Sequence, residues 1–416
     1  MSENIITGLD IGSSAIRVAV AQVTPSEGPR TQIHVIGAVE VPSEGVHKGT
    51  ITSIEDAVSA ISKALEQGER MTGIPLHAGW VGIAGHHTLV QTTKGVIGVG
   101  RTDGEIRDED VERAIEAARS VSRPTNYEIL HVIPKSFTVD GQQGIKDPVG
   151  MNGIRLEVDA VIIQALSSQI KNLTKCIYRT GLDIEDLVYS PLAGAEVVLT
   201  PRQKELGACV INLGASTTSL ILFEEGDILH TAVLPIGSDH ITNDIAIGLR
   251  TSLEIADAVK VRYGHAVAEH VAKKELIDLS EFGMQGEEPL ERRYVAEIIE
   301  ARVEELCERI DAELAKADRS GMLPAGIIVT GGGVRLSGIT DVMKRVLRLP
   351  VAYGELHGVT SVIDQAMDPA FSTAVGLAMW GAEIRSSSGG GGVFTKFKSV
   401  DKVSNQVRKW LRSLIP

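Results

Sequence analysis

The chain has 416 residues, 43% of them hydrophobic, and a formal net charge of −13. That length suits two or three domains with sizeable cores, and the acidity disfavours nonspecific nucleic-acid binding. Three widely spaced cysteines (Cys176, Cys209, Cys307) argue against a disulfide framework or a cysteine-built metal site. The start, MSENIITGLDIGSS, has no basic segment or long apolar core, and no stretch reaches the roughly 18 apolar residues of a membrane span; a soluble chain of a reducing compartment is expected.

In chain order, IITGLDIGSSAIRVAVAQV and QIHVIGAVEV read as paired strands. Residues 54–70 read as a helix, 78–85 as a buried strand and 86–104 as a hairpin region. DEDVERAIEAARSV (108–121) is a helix by pattern, capped by Asp108, with Val111, Ala114, Ile115 and Ala118 on one face. EILHVIPKSFTVDG reads as a strand with a proline-marked break, LEVDAVIIQAL (156–166) as a long strand, and 167–180 as a helix ending at Gly181. ACVINL and TSLILFEEGDILHTAVL predict a β-meander, followed by helices from about 238 to 262. The segment 290–316 is a long amphipathic helix, with Val295, Ile298, Ile299, Val303, Leu306, Ile310 and Leu314 on one side. AGIIVTGGG (325–333) is a buried strand ending in three glycines, FSTAVGLAMWG (371–381) a small-residue helix, and SSSGGGG (386–392) a flexible linker. Strand-rich blocks followed by helices begin at residue 5 and again at 208, which suggests an α/β fold with a duplicated unit. His86, His87 and His131 have no partners at ligand spacing, so a histidine metal site is not expected.

Three turns could cradle phosphate or a nucleoside: GLDIGSSAI (8–16), INLGASTTS (211–219) and VTGGGVRLSG (329–338). Glycine lets backbone N–H groups approach phosphate oxygens, hydroxyls add donors, and an Asp at a strand end can hold Mg2+ through water. Singly each could be an ordinary hairpin turn, and none matches the GxxxxGKS/T loop or the full GxGxxG spacing.

Taken together and in order, with SPLAGAEVVL (190–199) before the second turn and AVGLA after the third, they resemble the actin/Hsp70/sugar-kinase superfamily. The stretch from GRTDGEIRDEDVERAIEAAR through EILHVIPKSFTVDGQQGIKDPVGMNGIRLEVDA (100–160) resembles the extra subdomain of the FtsA family of bacterial cell-division proteins. The resemblance runs from about residue 5 to the end. It implies an actin-like two-domain fold with a nucleotide cleft, an inserted FtsA-type subdomain and a C-terminal amphipathic helix. The implied boundaries are 1–86 and 165–200 for the first actin-like subdomain, 87–164 for the insert, 201–239 and 319–385 for the subdomain that answers the first across the cleft, 240–318 for the subdomain over the adenine, 386–392 for the linker and 393–416 for the membrane helix.

The resemblance also implies a site for ATP and Mg2+. Asp10, Gly12, Ser13 and Ser14 match the first phosphate loop, with Asp10 at the metal; Asp257 and Lys260 match positions reaching ribose and base; Gly331, Gly332 and Gly333 match the adenosine motif. The second loop departs from the family's Asp-x-Gly-Gly-Gly-Thr-Thr-Asp. It carries Asn212, Gly214, Ala215, Ser216 and Thr217, and ends in Ser219. Ala15 stands where the family usually has Lys, and Ser190 where it has Glu or Gln. Asn cannot ionise, so it orders a metal's water shell less well and cannot act as a base. Ala215 and Ser216 add Cβ atoms where positive φ could be needed. By the motifs alone one carboxylate, Asp10, remains. Hydrolysis is therefore expected to be very weak or absent, with nucleotide binding retained; slow turnover and an empty cleft stay open.

Residues 393–416 carry six Lys/Arg and one Asp, leaving −18 on residues 1–392. At 100° per residue, Val393, Phe397, Val400, Val403, Val407, Trp410, Leu411, Leu414 and Ile415 fall within an arc of about 140°. Phe394 adds to this membrane-facing set, and Lys398, Lys402, Lys409 and Arg412 lie opposite. Such a helix suits the plane of an anionic bilayer; docking on the protein's own body is the alternative, and the seven-residue Ser/Gly tether before the helix argues against it. The resemblance further implies binding of the C-terminal peptide of the tubulin-like protein FtsZ by Arg292, Arg302 and Glu305; a solvated helix face with an intrahelical ion pair is the alternative. It implies self-assembly into filaments, contacts with later division proteins and a place on the cytoplasmic face of the membrane at the division site. The competing readings are an active actin- or Hsp70-like ATPase, a sugar-kinase-type enzyme, and the type IV pilus actin-like scaffold.

Overall fold

The computed structural model describes residues 4–24, 31–100, 103–121, 124–282 and 289–387. The tail expected to form the membrane helix, 393–416, lies outside them.

Two sheets share one topology. In the first, Ile5–Ile11, Ala15–Thr24 and Gln32–Pro42 form an antiparallel meander, and Ile5–Ile11 then pairs in parallel with Ala78–Ile83, which pairs in parallel with Asp183–Tyr189. In the second, Ala208–Leu213, Thr218–Glu224 and Asp227–Leu234 form the meander, and Ala208–Leu213 pairs in parallel with Ile327–Thr330, itself beside Val351–Tyr353. The parallel pairings need crossovers. Helix Ile54–Thr72 makes the first, started by the Ser53 cap and stopped at Gly73, whose φ is +69°. Helices Ser238–Leu249, Leu253–Tyr263 and Arg292–Lys316 make the second. One apolar core covers the first sheet and runs on to one face of the second, through Val210, Ile221, Phe223 and Ile328; another lies on the opposite face of the second sheet. On Arg292–Lys316 the expected stripe is buried except Ile298, which is partly covered.

The insert is a four-stranded antiparallel sheet ordered Thr88–Gly98, Arg155–Leu166, Tyr127–Val139, Gln142–Ile145. Residues 86–104 do not form a hairpin: Thr88–Gly98 pairs along its whole length with the distant Arg155–Leu166, because its period-two pattern is satisfied there. Pro134 does not break its strand. The register skips Lys135 between Ser136 and Pro134, so the missing N–H is absorbed by a bulge. Helix Asp108–Val121 covers the sheet with Ala114 and Ala118 buried. Asp108 opens this helix but is not seen capping it; the Asp110 carboxylate accepts from the Arg107 N–H at 3.1 Å.

The segment after Val351–Tyr353 departs from the expected 319–385 boundary. Strand Val359–Ser361 joins the first sheet beside Gln32–Pro42, and helix Ser372–Ser387 packs on the first domain, with Trp380 fully buried. Its middle stretch, residues 374–382, has no charged or hydroxyl side chain and needs cover on all sides, which the seam between helix Ser190–Val198 and the first sheet provides.

His131, in strand Tyr127–Val139, is 3% exposed and accepts the Tyr189 N–H on Nε2 at 2.9 Å, which only the neutral ring can do. Burial pushes its pKa down to about 4. A depressed histidine pKa means that the unfolded chain binds the extra proton between about pH 6.5 and 4, so stability falls as pH drops through that window. His131→Gln, which can still accept from Tyr189, is expected to flatten the decline of the unfolding free energy, measured by urea titration, from pH 7 to pH 4 by on the order of 3 kcal/mol. Asp10 works in the opposite sense over part of that window, so the difference between wild type and variant is the measurement.

Candidate nucleotide cleft

The two meanders place two congruent loops face to face. Ile11 pairs with Ile16 across residues 12–15, and Leu213 with Thr218 across 214–217. In the first loop the Gly12 N–H donates to the Ala15 carbonyl at 3.0 Å; in the second the Gly214 N–H donates to the Thr217 carbonyl at 2.9 Å. Helix Ser238–Leu249 pins the second loop, its first N–H groups donating to the Gly214 and Ala215 carbonyls at 3.0 and 2.8 Å. The hairpin turn at Lys48–Gly49 props the first, the Gly49 N–H donating to Ser13 Oγ at 3.3 Å.

Between the loops lies a cavity of about 390 Å3. All the residues expected at the nucleotide reach it: Asp10, Gly12, Ser13 and Ser14 from one half; Asn212, Gly214, Ala215, Ser216 and Thr217 from the other; and Asp257, Lys260 and Gly331–Gly333. Gly331 has φ +91°, and a Cβ there would lie 2.5 Å from both Asn212 Oδ1 and the Leu213 carbonyl, so the glycine turn can seat on the second loop only without a side chain. Lys260 spends its ammonium on Asp257 and Thr242, both at 2.6 Å, and so holds Asp257 in place at the cavity wall.

Several expectations change. Neither Ala215 nor Ser216 adopts positive φ, so their Cβ atoms cause no backbone strain. The reason is the shared four-residue geometry, which non-glycine residues accept. The cavity wall also holds two carboxylates beyond the expected Asp10 and Asp257: Glu40 and Asp239. Asp239 sits by the second loop and accepts from Ser216 Oγ at 2.9 Å. The cation absent at Ala15 has counterparts in Arg17 and Arg335, both on the cavity wall. Arg17 was legible in principle. Once residues 12–15 are assigned to the turn, the register sets Arg17 opposite Asp10.

Asn212 donates its amide to Thr373 Oγ1 at 3.0 Å, a neutral and satisfied polar contact. Ser190, at the start of helix Ser190–Val198, is buried and reaches the cavity. Burial raises the Asp10 pKa to about 6, with Arg17 pulling against it. The donor set of two hydroxyl-bearing loops and one deep carboxylate fits a polyphosphate with its magnesium. Asp10 would face the metal and Ser13, Ser14, Ser216 and Thr217 the phosphates. No cluster of three His, Cys, Asp or Glu side chains suited to a metal occurs among the described residues.

The expected partner residues lie elsewhere and are already engaged. Arg302 on helix Arg292–Lys316 is paired with Glu305, as the intrahelical reading had it, and is also gripped by both carboxylate oxygens of Asp244. Arg292 donates to the Tyr263 carbonyl at 2.7 Å and pairs with Glu275. Both arginines cross-link the helices of this subdomain.

Twinned sheets, each ending in a phosphate-type loop over one cleft, define an actin-like protein. Solved structures share that fold: the PilM–PilN type IV pilus biogenesis complex has a TM-score of 0.65 at 17% identity, over 91% of this chain and 98% of that one. MreB5 of Spiroplasma citri bound to ADP has a TM-score of 0.54 at 12% identity, over 93% and 98%. The sequence model described as "Cell division protein FtsA" matches residues 209–376, and the one described as "SHS2 domain inserted in FTSA" matches residues 85–164. "Cell division protein FtsA" of Pseudomonas aeruginosa is 34% identical over 99% of this chain and 98% of its own length; that of Bacillus subtilis is 38% identical over 90% and 83%. The chain belongs to the cell division protein FtsA family.

Proposed function

We propose that this chain is an adaptor of the division machinery that holds Mg-ATP in its cleft as a structural ligand, tethers FtsZ filaments to the cytoplasmic face of the membrane at the division site, and assembles end to end into filaments. The observation that carries the nucleotide reading is the pair of congruent hydroxyl-bearing loops facing one cavity, with the Gly331–Gly333 turn and Asp257 at its wall. The two MreB5 structures, bound to ADP and to AMPPNP, support a nucleotide in a cleft of this fold. Bound ATP biases closure of the two halves and so assembly. Membrane attachment rests on residues 393–416; among the described residues no helix is long and apolar enough to cross a membrane. The FtsZ peptide would meet Arg292, Arg302 and Glu305 on their exposed edges, competing with Asp244 and Glu275 for the guanidinium groups. The relatedness over nearly the whole chain favours the division role over the pilus scaffold, whose likeness is one of fold.

Asp239 beside the second loop favours a second reading, slow hydrolysis, because it adds a carboxylate that the motifs lack. Calorimetry of Mg-ATP and Mg-ADP with phosphate release on the same sample separates the two. The expected result is binding of both with no release above background. Steady turnover that disappears in Asp239→Asn would replace the structural-ligand reading with the enzymatic one.

A further inference from the structure

On the first sheet the register sets Asp10, Arg17 and Glu40 side by side on three neighbouring strands. The Arg17 Nε donates to Glu40 Oε2 at 2.7 Å. The same oxygen lies 3.8 Å from Arg335 Nη2, which comes from the other half, just past the glycine turn. Arg335 in turn holds Asp368 at 3.0 Å. The result is a row of alternating charge, Asp10–Arg17–Glu40–Arg335–Asp368, that crosses between the halves, and its first four members line the cavity. The matching positions of the second sheet are Asn212, Ser219 and Val233, all uncharged, so the row is not a by-product of the duplicated topology.

We propose that Glu40 is a positioning residue of the cleft: one carboxylate holds a guanidinium from each half, and so sets both the positive charge offered to an anionic ligand and the closure of the halves over it. The ligand class is a nucleoside polyphosphate, and the proposal rests on the nucleotide reading above. Arg17 is 11% exposed at its side chain and lies against the Phe371 ring, so it cannot swing away; Arg335, at 47%, can. Glu40 thus neutralises a fixed arm and a movable one. When phosphate charge enters, Arg335, anchored to Asp368 by Nε and Nη2 at 3.0 Å, can trade its looser 3.8 Å approach to Glu40 for the ligand while Arg17 stays in place. Two charges about 6 Å apart at an effective dielectric of 20 interact strongly enough to change affinity tenfold or more.

The test is calorimetry on the full chain with Mg-ATP and with adenosine, at low and high salt. Adenosine lacks the phosphates and reports closure and folding alone. Glu40→Gln is expected to raise the ratio of ATP to adenosine affinity about tenfold and to steepen its salt dependence; Glu40→Asp is expected to restore the wild-type ratio. Arg335→Gln, on the exposed arm and so least disruptive to folding, is expected to lower the ratio several-fold. A wild type that binds ATP, with the ratio unmoved in both Glu40→Gln and Arg335→Gln, makes Glu40 a structural ion pair and overturns the proposal alone. A wild type that binds neither ligand overturns the nucleotide reading itself, and the proposal with it.

Discussion

Gly376→Val is expected to abolish native folding or to lower the unfolding free energy by more than about 4 kcal/mol. Gly376 lies in helix Ser372–Ser387, where it crosses helix Ser190–Val198 backbone to backbone. A Cβ at this position would sit 2.1 Å from the Ala193 carbonyl oxygen and 3.1 Å from the Gly194 nitrogen. Neither contact is the free end of a side chain, so nothing can rotate out of the way. The neighbours Val375, Leu377, Ala378 and Trp380 are fully buried, and helix Ser190–Val198 packs on both sheets. Separating the two helices would open the first core and shift Ser190 at the cleft. Urea denaturation followed by circular dichroism measures the effect. Gly100→Ala, with nothing among the described residues within 4 Å of its Cβ, is the control and should stay within about 0.5 kcal/mol of wild type. A Gly376→Val chain as stable as the control would mean that the helix crossing is not as close as described.

Deletion of 393–416 is expected to reduce binding to anionic vesicles by more than about a hundredfold. The segment carries six Lys/Arg, each worth about 1 kcal/mol near an anionic surface, and its apolar arc adds burial among the acyl chains. The rest of the chain carries −18 and is repelled by the same surface, so no second attachment of comparable strength is expected. Co-sedimentation with vesicles containing anionic lipid gives the readout; salt and neutral vesicles should each weaken binding of the intact chain. Unchanged sedimentation after deletion would return the tail to the alternative reading, a helix docked on the body.

Local chemistry made much of the architecture legible before the tertiary structure. Two meanders beginning near residues 5 and 208 follow from period-two patterns broken by glycine turns, and the duplicated topology from their order. The core stripe of Arg292–Lys316 follows from its 3.6-residue period. Partners far apart in sequence escaped the same reasoning. Thr88–Gly98 looked like half of a hairpin until it paired with Arg155–Leu166, and Val359–Ser361 looked like part of the second domain until it paired with the first sheet. Asp239 and Glu40 lie in no motif, and Arg335, inside the third turn, carries no signal of its own there; only folding brings the three to one cavity wall.

By itself the sequence determined the family, the two phosphate-type loops, the glycine turn and the charge contrast between body and tail, because each is written in contiguous residues whose backbone preferences are local. Only the tertiary structure decided which charges share the cleft. Arg17 meets Glu40 through strand register, and Glu40 meets Arg335 because one half closes on the other. Such pairings are set by the packing of whole sheets, and no local propensity encodes them.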